Sequence, residues 1–276
     1  MAKTAPALLL SSSAYLWLLL SGCAAPRERV RPATPSSASA APAAPESARP
    51  EIGRPEIWRI DLGISNAYLI RGARPVLVDS GWGASLEKLE QALHKLGIER
   101  GGLGLIVLTH GHADHAGGAS RLRELFGAPI AAGAGDAEPL QAGRNRPLKP
   151  MDGLAKLLRG YVDKPFTGFV PDIAVASELD LRPYGVDGSV VPMPGHTPGS
   201  LVVRLSTGEA IVGDLVRGSV GRSHTPTRHF YHDDCRTAEA HVDELVAAGT
   251  RRLLVGHGGP LDAQEAQARL HDKPCP

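Results

Sequence analysis

The sequence from residue 103 to residue 115 reads Leu-Gly-Leu-Ile-Val-Leu-Thr-His-Gly-His-Ala-Asp-His. The apolar half predicts a buried strand, and the polar half then lies at the end of that strand. Residues two apart in an extended segment point the same way, so His110 and His112 can bind one metal ion. Asp114 and His115 can then reach a neighbouring ion. Imidazole and carboxylate groups bind zinc and similar metals, and two adjacent ions can hold a hydroxide between them.

Three further potential ligands each lie at the end of a short apolar run or in the turn after one. His196 lies in Met193-Pro-Gly-His-Thr-Pro-Gly199, Asp214 ends Ala210-Ile-Val-Gly-Asp214, and His257 ends Leu253-Leu-Val-Gly-His257. Strand ends present side chains on a rigid scaffold, which a metal site requires. Together with the first motif these residues form a set of seven potential metal ligands.

This constellation resembles the metallo-β-lactamase superfamily of metallohydrolases over about residues 56 to 262. The resemblance implies that His110, His112 and His196 hold one ion, and that Asp114, His115 and His257 hold the second. It also implies that Asp214 bridges the two ions and that Asp79, in Val78-Asp-Ser-Gly81, supports the metal loop from behind. A bridging aspartate is more typical of the glyoxalase II and lactonase branches than of the zinc β-lactamases.

The fold implied by the resemblance is an α/β class αβ/βα sandwich, with two packed mixed sheets flanked by helices. The residue patterns are compatible with it. Apolar residues at 86, 89, 93 and 96 follow a helical period. Predicted helices span 85–96, 119–126, 151–161, 235–248 and 262–271, and predicted strands span 56–61, 66–71, 75–79, 103–108, 128–132, 188–193, 201–205, 210–214 and 252–256.

The function implied is that of a dinuclear metal-dependent hydrolase. A hydroxide between the ions would cleave an ester, thioester, lactone or lactam bond of a small molecule. Asp114 would be the catalytic residue that orients the hydroxide and accepts its proton. The expected cofactors are two divalent ions, with Zn²⁺ favoured and Fe or Mn as alternatives. Because the sequence ends soon after His257, we expect no glutathione-binding helical domain of the glyoxalase II type.

Two alternatives belong to other classes of protein. In persulfide dioxygenases of the same fold, the residues matching His110, His196 and Asp214 hold a single iron. A non-enzymatic envelope lipoprotein could use the metal structurally. Structural zinc sites are normally closed and mononuclear, and the seven potential ligands therefore favour the hydrolase.

The N-terminus predicts a bacterial lipoprotein. Lys3 precedes a short apolar run, and Leu20-Ser-Gly-Cys23 fits a lipobox, in which cleavage leaves Cys23 as the acylated first residue. Residues 1–22 are then the signal peptide, 23–55 a lipidated cysteine with a disordered tether rich in Ala, Pro and Ser, and 56–276 the catalytic domain. The predicted location is the cell envelope, with the protein anchored to the outer membrane and facing the periplasm.

The net charge and the cysteine content exclude few further functions. The net charge is +1 with no basic stripe, so nucleic acid is not an expected partner, and the oligomeric state is left open. Cys235 and Cys275 could pair, although two free thiols are favoured, since sequence does not show that they are close.

The long stretches 133–176 and 215–234 are expected to border the metal cleft. Their histidines, His224, His229 and His232, are interpreted as surface or loop-packing residues and not as ligands.

The lipoprotein prediction can be tested at Cys23. Cys23→Ala removes the only thiol that the lipobox places for acylation, so the chain should remain unprocessed or reach the wrong location. Mass spectrometry of the N-terminus of the protein from membranes measures this directly. An unacylated mature chain that begins at another residue would contradict the prediction.

Overall fold

The computed structural model describes residues 54–273 and residue 275. The predicted signal peptide, Cys23 and the tether up to residue 53 lie outside these residues, and those interpretations stay predictions. Within the described part, no helix is long and apolar enough to cross a membrane.

The described residues form fourteen strands and seven α-helices. The strands are β1 Glu56–Asp61, β2 Asn66–Arg71, β3 Val76–Val78, β4 Leu105–Leu108, β5 Ile130–Gly133, β6 Ile173–Val175, β7 Leu179–Asp180, β8 Gly188–Pro192, β9 Leu201–Leu205, β10 Glu209–Gly213, β11 Arg217–Ser219, β12 Arg222–Thr227, β13 Arg252–Val255 and β14 Leu261–Asp262. The helices are α1 Leu86–Lys95, α2 Ala113–Ala116, α3 Ala119–Phe126, α4 Ala137–Ala142, α5 Gly153–Val162, α6 Cys235–Ala247 and α7 Ala263–Asp272.

Two six-stranded mixed sheets make up the body of the fold. The first has the order β1-β2-β3-β4-β5-β6, and its strands from β3 onward run parallel to one another. The second has the order β14-β13-β10-β9-β8-β7, in which β10 and β13 are the parallel pair. Strands β11 and β12 form a separate two-stranded sheet. This is the αβ/βα sandwich that the sequence predicts.

Strand β4 shows why the sandwich forms. All four of its residues are buried, and successive side chains of a strand point to opposite faces. Leu105 and Val107 belong to the apolar layer between the two sheets, together with Val203 and Ile211 of the second sheet. Ile106 and Leu108 belong to the layer under α1 and α3. A strand that is covered on both faces must be apolar throughout, and this explains the apolar run that the sequence shows there.

The helices cover the outer faces. Leu89 and Leu93 of α1 are fully buried against the first sheet, as their spacing predicts. Helices α6 and α7 cover the second sheet through residues such as Val242 and Leu270. Helix α5 begins two residues later than predicted, because Asp152 caps it by accepting a hydrogen bond from the Ala155 amide at 2.7 Å.

The structure pairs Cys235 with Cys275 in a disulfide, with the Cα atoms 6.1 Å apart. The preference for two free thiols was therefore wrong. The pairing depends on α6 and the C-terminal segment being neighbours in space, which the sequence does not show. The bond fastens the end of the chain to the start of α6.

The end of β5 lies in close backbone contact with the loop that precedes β9. A Cβ on Gly133 would overlap the carbonyl oxygen of Gly199, and a Cβ on Gly199 would clash with Asp136. Glycine is required at these two positions by close contact between backbones. The contact fixes the loop that carries His196 against the end of the first sheet.

Gly133→Ala should lower the free energy of unfolding by about 1–3 kcal/mol, the usual cost of overpacking a core. Gly160→Ala is the matched control, because Gly160 lies in α5 with open space where a Cβ would stand. The control should be neutral or slightly stabilising, since alanine favours a helix. Denaturant unfolding of the two variants measures the difference. Equal stability of Gly133→Ala and the parent would show that the contact is not tight.

Candidate metal centre

The seven predicted ligands come from both sheets and meet at one edge of the sandwich. His110 and His112 follow β4, and the short helix α2 carries Asp114 and His115. His196 lies between β8 and β9, while Asp214 and His257 follow β10 and β13. Strands β10 and β13 are parallel neighbours, so the residues after their carboxyl ends are adjacent. The Leu201 amide donates to the Thr109 carbonyl at 2.7 Å and joins the two sheets there.

A single carboxylate oxygen lies in the middle of the cluster. Asp214 Oδ2 is 3.7 Å from His110 Nε2 and 3.7 Å from His196 Nε2. The same oxygen is 3.5 Å from His115 Nε2 and 3.3 Å from His257 Nε2. Asp214 is only 3% exposed. Its carboxylate thus contacts members of both predicted ligand groups.

Within each of the two predicted ligand groups, the side chains lie close to one another. In the first, His112 Nδ1 lies 3.0 Å from His196 Nε2, and the ligand atoms of His110, His112 and His196 all lie within 4.8 Å of one another. In the second, Asp114 Oδ2 lies 3.3 Å from His257 Nε2 and 3.8 Å from His115 Nε2. Each group is close enough to surround one ion.

In two of the ligand histidines, the Nδ1 atom on the side of the ring away from the cluster donates to a backbone carbonyl. His196 Nδ1 donates to the Tyr231 carbonyl at 2.8 Å, and His257 Nδ1 donates to the Ile64 carbonyl at 2.7 Å. A carbonyl only accepts, so each ring carries a hydrogen on Nδ1 and presents Nε2 to the cluster. This is the usual arrangement of metal-binding histidines.

Buried atoms without partners indicate that the cluster fits a cation. Among the described residues, His110 Nε2 and Asp214 Oδ1 are buried and make no hydrogen bond. Buried polar atoms are rarely left without a partner, and both atoms belong to the cluster. A Cβ on Gly256 would overlap Asp214 Oδ1, so only glycine leaves that oxygen its place. Imidazole nitrogen with carboxylate oxygen is a donor set for Zn²⁺, Fe²⁺ or Mn²⁺.

The charges of the cluster divide its histidines into two classes. Burial lowers the pKa of His110 and His112, and it lowers the pKa of His196 to about 3. These rings are therefore neutral, which is the form that binds metal. Burial also acts on His257, but Asp214 and Asp114 outweigh it and raise its pKa to about 10.

The two carboxylates remain ionised although they are buried. Burial alone would raise the pKa of Asp114, but the charges of His115 and His257 hold it below its ordinary value. For Asp214 the neighbouring histidines, with His229 first, likewise outweigh burial and hold the pKa well below the usual range. The two ionised carboxylates therefore stand beside the neutral rings of His110, His112 and His196 and the protonated rings of His115 and His257.

Two buried aspartates support the ligands from behind. Asp79 Oδ2 lies 2.8 Å from His115 Nδ1, and Asp79 also accepts from the Thr109 amide at 2.7 Å. Asp79 thus connects Thr109, at the start of the metal loop, to His115. Asp136 accepts from the Gly111 amide at 2.8 Å and from the Thr197 hydroxyl at 2.7 Å. It therefore joins the loop of His110 and His112 to the loop of His196, a role that the sequence did not indicate.

Sequence reasoning missed His229. Its Nε2 lies 3.1 Å from Asp214 Oδ2, its ring stacks on His257, and it is 7% exposed. His232 is also buried and packs edge-on against His196, whereas His224 is exposed. His229 is thus neither a surface residue nor a simple loop-packing residue. An isolated histidine in an irregular loop carries no spacing signal, so only the folded structure reveals its position.

A cavity of about 470 Å³ opens onto the cluster. Asp114, Asp214, His229 and His257 form part of its wall. The stretches 133–176 and 215–234 both contribute to the rest, through residues that include Leu148, Leu158 and Tyr161 in the first and Arg217, Phe230 and Tyr231 in the second. Both long stretches therefore border the cleft. The Tyr231 hydroxyl donates to the Ala155 carbonyl at 2.7 Å and does not face the cluster as a free donor.

Comparison with known protein families gives one extended match. The family model described as the metallo-β-lactamase superfamily matches residues 60–257. That range contains all seven potential ligands.

Individual relatives are more distant. The chain is 30% identical over 164 residues to a probable metallo-hydrolase of Methanocaldococcus jannaschii, an alignment that covers 59% of this chain and 73% of that protein. It is 31% identical over 147 residues to a hydroxyacylglutathione hydrolase of Cereibacter sphaeroides, covering 52% of this chain and 47% of that enzyme. A crystal structure of a B3 metallo-β-lactamase superposes with a TM-score of 0.57 at 22% identity, covering 77% of this chain and 97% of that chain. This last likeness concerns the fold.

Asp79→Asn should weaken metal binding by about 10- to 100-fold, the usual effect of removing the group behind a ligand. The substitution keeps the shape of the side chain, and asparagine tolerates the left-handed backbone of Asp79, whose φ is 64°. Competition with a chromophoric chelator measures the affinity without reference to activity. Asp272→Asn, at the exposed end of α7, is the matched control and should not change it. Equal affinities in both variants would contradict a supporting role for Asp79.

Proposed function

The chain belongs to the metallo-β-lactamase superfamily, and we propose that it is a dinuclear metallohydrolase that cleaves an activated carbonyl bond in a small molecule. One observation carries the proposal. Asp214 Oδ2 contacts ligands of both groups, at 3.7 Å from His110 and 3.3 Å from His257. A carboxylate in that place favours two neighbouring ions over one.

The proposed cofactors are two divalent ions. His110, His112 and His196 would hold the first, Asp114, His115 and His257 the second, and Asp214 would contribute to both. Zn²⁺ is the favoured ion because nitrogen ligands predominate, with Fe and Mn as alternatives. When bound, such a pair supplies a nucleophilic hydroxide near neutral pH and polarises the carbonyl that is attacked.

Residues of the chain itself would orient the water, accept its proton and hold the metal ligands in place. Asp114 and Asp214 both line the cavity, but 13% of the Asp114 side chain is exposed against 1% of the Asp214 side chain. Asp114 is therefore the carboxylate that is more accessible to an attacking water. Because its pKa is held low by His115 and His257, it is ionised and can orient that water and accept its proton. The supports behind His115 and His196 keep these ligands in fixed orientations.

The substrate class follows from the cavity and from the relatives. A volume of about 470 Å³ suits a small molecule, and its wall combines the cluster with apolar side chains. Esters, thioesters, lactones and lactams all present a suitable carbonyl. Because relatives include proteins named hydroxyacylglutathione hydrolase, thioesters are the first compounds to test.

We also propose the location that the N-terminus predicts, a lipid anchor at Cys23 in the bacterial envelope. The Cys235–Cys275 disulfide supports an oxidising compartment, since disulfides are rare in the cytosol. The anchor would hold the enzyme at the membrane surface on its predicted tether.

Asp214→Ala and Asp114→Asn should separate the two carboxylate roles. Asp214→Ala should lower occupancy of both metal positions together, because its oxygen contacts both ligand groups. Asp114→Asn keeps an oxygen ligand but loses charge and basicity. It should spare the first position and lower kcat by about 10²-fold, the scale of a lost general base.

Metal titration followed by mass spectrometry of the native protein gives the occupancy, and thioester hydrolysis gives the turnover. Asp272→Asn again serves as the control, with normal occupancy and turnover. Near-normal turnover of fully loaded Asp114→Asn would contradict the role given to Asp114. A protein that holds one iron and consumes oxygen with a persulfide would contradict the hydrolase proposal itself.

A further inference from the structure

His229 is a buried histidine that stands beside the metal centre without belonging to the seven potential ligands. It lies in the loop between β12 and α6 and is 7% exposed. Its Nε2 atom is 3.1 Å from Asp214 Oδ2, closer than the Nε2 atoms of the other histidines around that oxygen. The residue also forms part of the cavity wall. His229 therefore touches both the centre and the space that a substrate would enter.

The loop that carries His229 is fixed by contacts on both sides of the residue. Arg228 forms an ion pair with Glu239 of α6. The Phe230 carbonyl accepts from the Met151 amide at 2.9 Å. These contacts hold the backbone before and after His229, so the fold itself sets the position of the ring.

The Nδ1 atom of His229 has the support that a ligand histidine requires. It lies 3.2 Å from the Tyr231 carbonyl oxygen. The same carbonyl accepts from Nδ1 of His196 at 2.8 Å, and a carbonyl oxygen has two lone pairs. Ligand histidines usually donate their second ring N–H to a carbonyl or a carboxylate. One backbone carbonyl can therefore orient both rings so that each presents an Nε2 lone pair to the centre.

The backbone also allows the opposite arrangement of the ring hydrogen. The Tyr231 amide lies 3.3 Å from His229 Nδ1 and can donate to it. The ring would then carry its hydrogen on Nε2, beside Asp214 Oδ2. Without that hydrogen, both Nε2 and Oδ2 present lone pairs at a separation of 3.1 Å, and a cation must link them.

The geometry favours the cation. Although Nε2 and Oδ2 are close, the contact lacks the geometry of a hydrogen bond, in which the N–H must point at the acceptor. Two ligand atoms about 2.0–2.1 Å from one zinc ion stand roughly 2.8–3.4 Å apart, with the ion off the line between them. The ligand atoms of His196, Asp214 and His229 all lie within 4.8 Å of one another. The first ligand group, His110, His112 and His196, is compact to the same limit.

We propose that His229 is an eighth protein ligand of the metal centre, bound through Nε2 to the ion of the first ligand group. This inference rests on the two-ion centre of the proposed hydrolase and adds a ligand outside the seven-residue pattern. The ion then has five protein ligands, which are His110, His112, His196, Asp214 and His229. Zinc sites commonly have three or four, so the extra nitrogen holds this ion more firmly and leaves fewer positions for water.

The state of the two His229 ring nitrogens tests the proposal in the zinc-loaded protein. With nitrogen-15 in the histidines, a long-range proton–nitrogen NMR spectrum distinguishes ring nitrogens that bind zinc, carry a hydrogen or keep a free lone pair. We expect Nε2 of His229 to bind zinc and Nδ1 to carry the hydrogen. Any other state of Nε2 would overturn the inference, and a hydrogen on Nε2 would make His229 a neighbour of Asp214 that does not bind the ion.

His229→Gln separates a metal ligand from a hydrogen-bond donor. The glutamine amide can still donate to Asp214, but it does not replace an imidazole nitrogen as a zinc ligand. The variant should bind the first zinc ion at least about 10- to 100-fold more weakly, the effect that removal of a mere supporting group already has. Competition with a chromophoric chelator measures the affinity.

His232→Gln is the matched control. His232 is buried in the same loop, but among the described residues it belongs to none of the close groups of potential ligands. Its variant should keep the affinity of the parent protein. Equal affinity of folded His229→Gln and the parent would overturn the inference. The NMR measurement on the parent decides if His229→Gln does not fold.

Hydrolysis by the parent protein is a separate measurement, so the two proposals can fail independently. A zinc-bound His229 in a protein that cleaves none of the carbonyl compounds would support the ligand and contradict the hydrolase. Cleavage of a thioester by a protein whose His229 Nε2 carries a hydrogen would overturn the ligand and leave the hydrolase standing.

Discussion

The contact between the Asp214 carboxylate and the histidines around it is the interaction on which the rest of the site depends. One oxygen of this buried side chain faces His110, His115, His196, His229 and His257 within 3.1–3.7 Å. Burial keeps His110 and His196 neutral, while Asp214 remains ionised among its histidine neighbours, and His110 Nε2 and Asp214 Oδ1 have no hydrogen-bond partner. Divalent cations satisfy such a cluster, since they take the lone pairs that burial has left without partners. The fold must therefore hold these side chains close together. A shared ion would stabilise them, and without it some of their polar atoms would lack a partner.

The sandwich achieves this by bringing strand ends from two sheets to one edge. Strand β4 delivers the first motif from one sheet, while β10 and β13 deliver Asp214 and His257 from the other. Buried aspartates and glycines then fix the loops between them. Asp136 links the loops of both sheets through the Gly111 amide and the Thr197 hydroxyl, and Gly133 allows the two backbones to touch. The rigid layers explain how loops with little regular structure can still present ligands with defined orientation.

The resemblance to a known family implied the sandwich, with which the strand and helix patterns were compatible, and the seven side chains that the structure assembles could be picked out because each follows a local signal. The buried strand β4 appears as an apolar run, and the first four ligands lie within six positions of one another. Features that depend on contacts distant in sequence were missed. His229 stands alone in an irregular loop, and the neighbour of Cys235 is decided by the path of the last segment. Strands β6, β7 and β11 have two or three residues, too few to show a period, and β12 is a mostly exposed, polar segment without an apolar run. The role of Asp136 depends on its contact with the His196 loop, which the sequence does not show.

The cavity joins the metal ligands to the two long stretches, which contribute Leu148 and Phe230 to its wall. The proposed two-ion centre depends on Asp214 as a ligand shared by both ions. Anomalous X-ray scattering from crystals of the zinc-loaded protein, recorded at the zinc edge, locates the ions. A two-ion centre should give two peaks about 3.5–4 Å apart with the Asp214 carboxylate between them. A single fully occupied peak, or two peaks without Asp214 as a shared ligand, would contradict it.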